Sequence, residues 1–155
     1  TEEFGSDTMK MPLALVRLTE PEVCLMGVHG PPPAPYDPTG LMPYMRHISS
    51  AVEEGRLTRD WGPCSEGDGV VLAGDLNTVS FSPAWSLLVE RGLQDVAMPW
   101  GVWGASWPAG GGWPNLPFFQ LDHVLVGKAG VADVALIRIS GSDHKALSMV
   151  LLPDP

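Results

Sequence analysis

Glycine and proline interrupt this chain so often that long regular elements are disfavoured. The 155 residues include 18 glycines and 16 prolines. Glycine weakens the interior of helices and strands, and proline lacks the amide donor that both need. Hydrophobic residues make up 45% of the chain, which is enough for the core of one globular domain. We therefore predict an α/β or α+β domain of short elements joined by shaped loops, and not a helical bundle.

The acidic charge limits how this chain could bind phosphate groups. Nine lysines and arginines stand against 18 aspartates and glutamates, which gives a formal net charge of -9. A protein that holds nucleic acid mainly by neutralising phosphates needs the opposite balance. Phosphate chemistry would instead need a bound cation, because clustered carboxylates that repel one another become favourable around a divalent ion. A solubilising acidic surface explains the same charge equally well.

The chain as given carries no membrane or export signal that we can identify. No apolar run approaches the roughly 18 residues needed to cross a bilayer, and Thr1-Glu2-Glu3-Phe4 lacks the basic start of a signal peptide. We expect this chain to be soluble, although a preceding segment of a longer protein could still anchor it.

Apolar runs of strand length alternate with two helical patterns. Apolar residues recur at helical spacing over residues 41–54, and Gly55 is placed to end that helix. A second helix is predicted to start at Ser82 and Pro83, which are typical of an N-cap and a first turn, and to end at Gly92. The predicted strands comprise residues 13–18, 22–28, 69–73, 121–126, 132–139 and 146–152.

The stretch from Trp100 to Trp113 predicts a long ordered loop. It contains four tryptophans and five glycines, and it has no helical or strand periodicity. The tryptophans could stack on a base or a sugar. Aromatic residues beside glycines more often pack a loop onto the core, and we favour that interpretation.

Polar residues that could take part in catalysis or metal binding end or interrupt the apolar strands. They are His29, Asp75 with Asn77, Asp122 with His123, and Asp143 with His144. Each has an ordinary alternative when taken alone, because Gly, Asp and Asn also make turns after strands and Asp143-His144 could be a solvated hairpin turn.

Spacing suggests how these side chains could cooperate. Asp75 and Asn77 are two positions apart, so their side chains project to the same side if the strand geometry persists. Asp143 and His144 are adjacent and should point in opposite directions, which favours different tasks. Asp122 lies near the start of an apolar strand, where an unpaired carboxylate is costly to bury, and a histidine is its natural partner.

The order of the motifs is far more specific than any one of them. The motifs are Gly74-Asp75-Leu76-Asn77, Ser82-Pro83-Ala84-Trp85, Gly92-Leu93-Gln94-Asp95, Leu121-Asp122-His123-Val124-Leu125 and Ser142-Asp143-His144. Together they resemble the endonuclease/exonuclease/phosphatase superfamily, which includes deoxyribonuclease I and neutral sphingomyelinases, and the resemblance covers residues from about 12 to 152. The resemblance implies a deoxyribonuclease I-like α/β fold, a two-sheet sandwich flanked by helices.

The resemblance also implies a role for each polar position. Asp75 is similar to the aspartate that positions or deprotonates the attacking water and contacts metal, and Asn77 to the asparagine that orients that water and the phosphate. His144 resembles the histidine that stabilises charge on the phosphoryl oxygens, with Asp122 as the carboxylate that orients it. Two further positions are implied by the same resemblance: Asp143 as a metal ligand and His29 as a general acid for the leaving oxygen.

These roles imply metal-dependent hydrolysis of phosphodiester bonds, most similar to a nuclease, with Mg²⁺ or Mn²⁺ as the cofactor. A phosphodiesterase or phosphatase acting on lipid or small-molecule phosphates is the alternative, because one fold hosts all of these activities. Nucleic acid is therefore a candidate partner only.

The chain also departs from the family pattern. Members carry an early asparagine and then a glutamate metal ligand, both in an N-terminal half that precedes the first hairpin seen here. Glu2 and Glu3 lie too close to the first strand to be that glutamate. We therefore expect residues 1–155 to be a partial domain that lacks its N-terminal half, with a non-catalytic remnant as the rival interpretation.

Overall fold

The computed structural model describes residues 2–4, 11–32, 40–53, 68–96, 104–109 and 117–152. Side chains are not described at residues 2–4, 11–13, 51 and 53. Within these ranges the elements are β1 Glu2–Phe4, β2 Met11–Thr19, β3 Glu22–His29, α1 Leu41–Glu53, β4 Gly69–Asp75, α2 Pro83–Val89, β5 Gln94–Asp95, β6 Asp122–Gly127, β7 Gly130–Arg138 and β8 Lys145–Leu152.

The strands form two sheets of unequal size. The larger sheet has the order β1-β2-β3-β4-β6-β5, in which β3 and β4 run parallel and the other neighbours run antiparallel. Strands β7 and β8 pair antiparallel as a separate sheet. Every predicted strand and helix is present with small shifts at its ends, and the short strands β1 and β5 are additional.

Side-chain alternation along the central strands separates two apolar layers. Met26, Leu72 and Leu125 are buried on the face that packs against Met45 of α1 and Leu88 of α2. This layer places both helices on the same side of the larger sheet.

The opposite face of the larger sheet packs against the smaller sheet. Val23, Val71 and Val124 are buried there, and Leu147 and Met149 of β8 lie against them. The predicted two-sheet α/β sandwich is therefore confirmed. In the described part of the chain, helices cover the outer face of the larger sheet, whereas Ile137 and Val150 of the smaller sheet are each about half exposed.

Helix α2 begins as the sequence predicts. The Ser82 hydroxyl accepts a hydrogen bond from the Trp85 amide at 3.0 Å, with Pro83 in the first turn. The same hydroxyl is 2.5 Å from that of Thr78, so the helix start is joined to the segment that follows β4. No helix within the described ranges has the length and hydropathy required to cross a bilayer.

Candidate active site

Three polar residues lie side by side across the centre of the larger sheet. His29 is aligned with Asp75, and Asp75 with Asp122, in the pairing of β3, β4 and β6. Strands β3 and β4 run parallel and end here, whereas the antiparallel β6 begins here. The ends of these three central strands therefore bring together residues that are up to 93 positions apart in sequence (122 minus 29).

His144 reaches this edge from the turn between β7 and β8. Its Nδ1 lies 2.8 Å from Oδ2 of Asp122, and its Nε2 lies 3.7 Å from Oδ2 of Asp75. The Nε2 of His29 is also 3.7 Å from that Asp75 oxygen. The Asp75 Oδ2 atom therefore lies equally close to both imidazoles, and Asp122 orients the His144 ring through its contact with Nδ1.

Two glycines allow the strand ends to approach this closely. Gly74 has φ 143°, and a Cβ there would lie 2.0 Å from the carbonyl oxygen of Val28. A Cβ at Gly30 would lie 2.7 Å from the carbonyl oxygen of Leu76. The Gly30 amide donates to the Asp75 carbonyl at 2.7 Å, which continues the pairing of the strands past His29.

Asn77 makes a turn and fixes the Asp75 carboxylate at the same time. Its φ of 49° is a left-handed conformation that asparagine tolerates better than most residues. The Asn77 amide donates to Asp75 Oδ1 at 2.8 Å, and its side-chain Nδ2 donates to the Gly30 carbonyl at 2.8 Å and to Asp75 Oδ2 at 3.3 Å. The turn interpretation of this motif and the functional one are therefore compatible.

Burial and neighbouring charges perturb two of the site's ionisable groups. Burial raises the pKa of Asp75 above its ordinary value, and the charge of Asp122 adds to this, while the Asn77 amide and the two histidines oppose it. Burial lowers the pKa of His144, but its hydrogen bond to Asp122 and the surrounding carboxylates outweigh that effect and raise the pKa overall. Both pKa values are raised, and perturbed pKa values are typical of acid–base sites, although structural ion pairs show them too.

Asp143 lies beside this group and has a different contact. Its side chain is exposed, and its Oδ2 accepts a hydrogen bond from the indole Nε1 of Trp107 at 3.2 Å. The Trp107 ring lies 6.4 Å from the ring of His144, tilted by 46°. The metal-ligand role expected for Asp143 stays a prediction.

The segment at residues 104–109 supports the site. The sequence did not predict this role. Ser106 is fully buried, and its hydroxyl accepts from the amides of Leu121 and Asp122 at 3.2 Å each. The Lys145 ammonium donates to the carbonyl of Ala105 at 2.9 Å, next to His144. A lone serine in a tryptophan-rich loop gives no sequence signal for this role.

His123 faces away from the site and belongs to the core. It is fully buried, with Nδ1 2.7 Å from Asp95 Oδ2 and Nε2 2.9 Å from the Thr78 carbonyl. A carbonyl oxygen only accepts, so Nε2 carries a proton. This contact anchors the segment that follows Asn77 against β5 and β6.

Three side chains at the site fit a divalent cation. Asp75, Asp122 and His144 each offer one ligand atom, and these atoms lie within 4.8 Å of one another. Mg²⁺ is usually bound through one or two carboxylates, with water and substrate oxygens completing the shell. The two carboxylates suit Mg²⁺ or Mn²⁺, which prefer oxygen ligands, whereas an imidazole is the usual ligand of Zn²⁺ and other softer transition metals.

The model of the Endonuclease/Exonuclease/phosphatase family matches residues 14–144. The chain belongs to this family. The match includes all six predicted positions of the site and ends at the last of them, His144. Comparison with curated protein sequences returns no significant match.

Solved structures agree with this family's fold. A truncated TDP2 from Caenorhabditis elegans has a TM-score of 0.61 at 15% identity, over 97% of this chain and 65% of its own. Beta toxin 275-280 from Staphylococcus aureus has a TM-score of 0.56 at 16% identity, over 89% of this chain and 55% of its own. A beta toxin F277A, P278A mutant with bound magnesium ions has a TM-score of 0.52 at 17% identity, over 88% and 56%.

These identities support the fold alone, and the chain spans only a little over half to about two thirds of the length of these structures.

Proposed function

We propose that this protein hydrolyses phosphodiester bonds with the help of a divalent cation. The proposal is carried by one observation, the position of Asp75 Oδ2 at 3.7 Å from both His29 and His144. A phosphoryl group placed between these side chains would meet a base on one side and hydrogen-bond donors on the other. Membership of the Endonuclease/Exonuclease/phosphatase family supports the same reaction class.

Asp75 and Asn77 prepare the attacking water in this proposal. Asp75 accepts a hydrogen bond from the water and aligns it with the phosphorus, and the raised pKa of its carboxyl brings it closer to that of a useful base. Asn77 holds the carboxylate in position through its backbone amide and its Nδ2.

The two histidines act on the phosphoryl and leaving oxygens. Asp122 accepts a hydrogen bond from Nδ1–H of His144, and its charge raises the pKa of His144 and favours the imidazolium form. In that form Nε2 is also protonated and donates to the charge that develops on a phosphoryl oxygen. His29 has a half-exposed side chain and delivers a proton to the departing oxygen.

Asp75 and Asp122 would hold the Mg²⁺ or Mn²⁺ ion, with Asp143 as a further predicted ligand. A bound cation would polarise a phosphoryl oxygen and offset the charge on the leaving group. The chain's charge of -9 makes such help necessary, because no basic cluster replaces it in sequence. The magnesium ions of the beta toxin mutant structure support this choice of cofactor.

Hydrolysis of two substrates tests the proposal and its nuclease-like form. Bis-(4-nitrophenyl) phosphate and supercoiled plasmid DNA would be offered to the 155-residue chain and to the product of the longest reading frame that contains it. We expect hydrolysis of the small diester that requires Mg²⁺ or Mn²⁺ and stops with EDTA. Cleavage of the plasmid under the same conditions would support a nuclease.

The controls separate the site from a contaminant. His144→Ala should reduce the rate by roughly 10²–10³, which is the usual cost of removing one preorganised transition-state donor. Activity that survives EDTA in both proteins, or that is unchanged in His144→Ala, would contradict the proposed function.

A further inference from the structure

An apolar cavity opens directly from the candidate active site. Its volume is about 900 Å³, and Asn77 and His144 form the part of its wall that it shares with the catalytic group. The rest of the cavity lies between the start of α1 and the segments that carry Val79 and Phe119. Binding pockets for small molecules range from about 300 to 1,000 Å³, so this cavity has room for a substantial group.

The wall of the cavity is hydrophobic. Leu41, Met42, Val79 and Leu121 supply aliphatic surface, and Trp107 and Phe119 supply aromatic surface. Among the described residues, no lysine, arginine, aspartate or glutamate lines it, and His144 is its one ionisable side chain. A group that enters this space from the phosphate gains by leaving water and finds no partner for a second charge.

The aromatic part of the wall is held in place before any ligand binds. The rings of Trp107 and Phe119 are stacked with centroids 6.1 Å apart, and the backbones of these residues exchange two hydrogen bonds of 3.0 Å. The Trp107 indole is also bonded to Asp143. Phe119 nevertheless remains 45% exposed and Val79 40% exposed. Exposed apolar patches that are rimmed by polar residues often mark a ligand-binding groove.

We propose that the apolar cavity binds a hydrophobic ester group of the substrate while the phosphoryl group sits between Asp75 and His144. This inference rests on the proposed function and specifies its substrate class as a phosphoester with a large alkyl or aryl substituent. A nucleic-acid strand fits less well, since among the described residues no lysine or arginine lines the cavity to meet a neighbouring phosphate, and the chain as a whole is acidic.

Calorimetric binding of phosphonates tests the cavity without requiring turnover. The 155-residue chain would be titrated with methylphosphonate, hexylphosphonate and phenylphosphonate in the presence of MgCl₂. Burial of one methylene strengthens binding by about fourfold, so hexylphosphonate should bind at least about tenfold more tightly than methylphosphonate even if the chain is only partly buried. Hexyl and phenyl groups have the same number of carbons, and whichever binds more tightly distinguishes a lipid-like chain from an aryl ester.

Matched variants locate the effect. Phe119→Ala and Val79→Ser change two separate residues of the wall at partly exposed positions. Each should weaken the binding of hexylphosphonate severalfold while the binding of methylphosphonate changes little. Phe118→Ala is the control, because Phe118 immediately precedes Phe119, is 51% exposed and is not among the residues that line the cavity. Equal affinities for methyl- and hexylphosphonate, no detectable binding of either, or an equal effect of Phe118→Ala would overturn the inference.

Hydrolysis of methyl and hexyl 4-nitrophenyl phosphates separates this inference from the proposed function. Both esters release the same leaving group, so only the substituent differs. Metal-dependent hydrolysis of the two at equal kcat/KM would leave the proposed function standing and remove the hydrophobic subsite. Tight hexylphosphonate binding without hydrolysis of either ester would remove the proposed function and retain the cavity as a binding site.

Discussion

His29 and His144 contact the same carboxylate oxygen, but their surroundings assign them different tasks. His144 is held by Asp122 at 2.8 Å and is three-quarters buried, whereas half of the His29 side chain faces solvent. A fixed imidazole suits stabilisation of developing charge, and an accessible one can exchange protons with water and with a leaving group.

This difference predicts that the effect of His29→Ala depends on the leaving group. The rate with methyl 4-nitrophenyl phosphate should fall little, because nitrophenolate leaves without a proton. The rate with methyl phenyl phosphate should fall by at least about tenfold more, because phenolate is a poorer leaving group. Steady-state kinetics with the two esters measures this ratio, and equal losses would exclude His29 as the general acid.

Tyr44 allows a test of stability at the residue scale. It is 5% exposed on α1, and its hydroxyl lies near the backbone of His29 but makes no hydrogen bond within 3.5 Å among the described residues. Tyr44→Phe removes this buried polar group, so we expect a free energy of unfolding that is unchanged or higher by up to about 1 kcal/mol. A clear destabilisation in urea at neutral pH would show that the hydroxyl is hydrogen-bonded.

The same tyrosine predicts how stability depends on alkaline pH. Burial raises its pKa from 10.0 to about 12, with the backbone of His29 opposing part of the shift. As pH rises, the Tyr44 hydroxyl therefore loses its proton in the unfolded chain before it does so in the folded one. The contribution of the protonated hydroxyl to the free energy of unfolding is complete below about pH 10 and is lost as pH rises to about 12. The difference in unfolding free energy between wild type and Tyr44→Phe should change over that window; a constant difference would contradict the assignment.

At the scale of elements, the end of β4 depends on glycine for its approach to β3. Gly74→Ala would place a Cβ 2.0 Å from the Val28 carbonyl oxygen in a backbone conformation that L-residues rarely adopt. We expect a loss of several kcal/mol or failure to fold, since backbone atoms of a central strand cannot move aside cheaply. Gly92→Ala is the matched control, because its φ of 81° carries strain but no atom lies within 4 Å of the new Cβ. Thermal unfolding that shows equal losses for the two variants would contradict this account.

Elements were predictable from sequence where apolar periodicity and capping residues agree. Helix α2 follows from Ser82 and Pro83, and the central strands follow from short apolar runs. Strands β1 and β5 have only 3 and 2 residues and carry no such pattern. The alignment of His29, Asp75 and Asp122 depends on which strands become neighbours in the sheet. Strands β4 and β6 pair although 46 residues separate Asp75 from Asp122 (122 minus 75, less one), and no local sequence pattern encodes such a pairing.

The candidate site was predictable in part for a related reason. The motif order named its polar residues, and the need of Asp122 for a partner pointed to a histidine. Ser106 and Trp107 could not be found this way, because their contacts depend on how a loop without periodicity folds over β6 and the β7–β8 turn.

At the scale of the whole molecule, the outer face of the smaller sheet exposes several apolar side chains among the described residues. Ile137, Val150 and Leu152 are 50%, 48% and 40% exposed on β7 and β8. Exposed apolar strands favour association with another chain. We therefore expect the mass of the 155-residue chain to rise with concentration in light scattering, and Ile137→Thr with Val150→Thr to suppress that rise while keeping strand propensity. Val16→Thr, a similarly exposed position on β2, should have little effect; a monomer at all concentrations would contradict the prediction.

The central claim is that Asp75 is the carboxylate on which metal-dependent phosphodiester hydrolysis depends. The most direct measurement is the Mg²⁺-dependent kcat for bis-(4-nitrophenyl) phosphate. It would be compared between wild type and Asp75→Asn in the product of the longest reading frame that contains the 155-residue chain. This substitution keeps the volume of the side chain and removes its charge. We predict a loss of at least about 10²-fold with the fold retained by circular dichroism, and no activity in either protein with EDTA. Equal rates for the two proteins, or wild-type hydrolysis that EDTA does not reduce, would contradict the account.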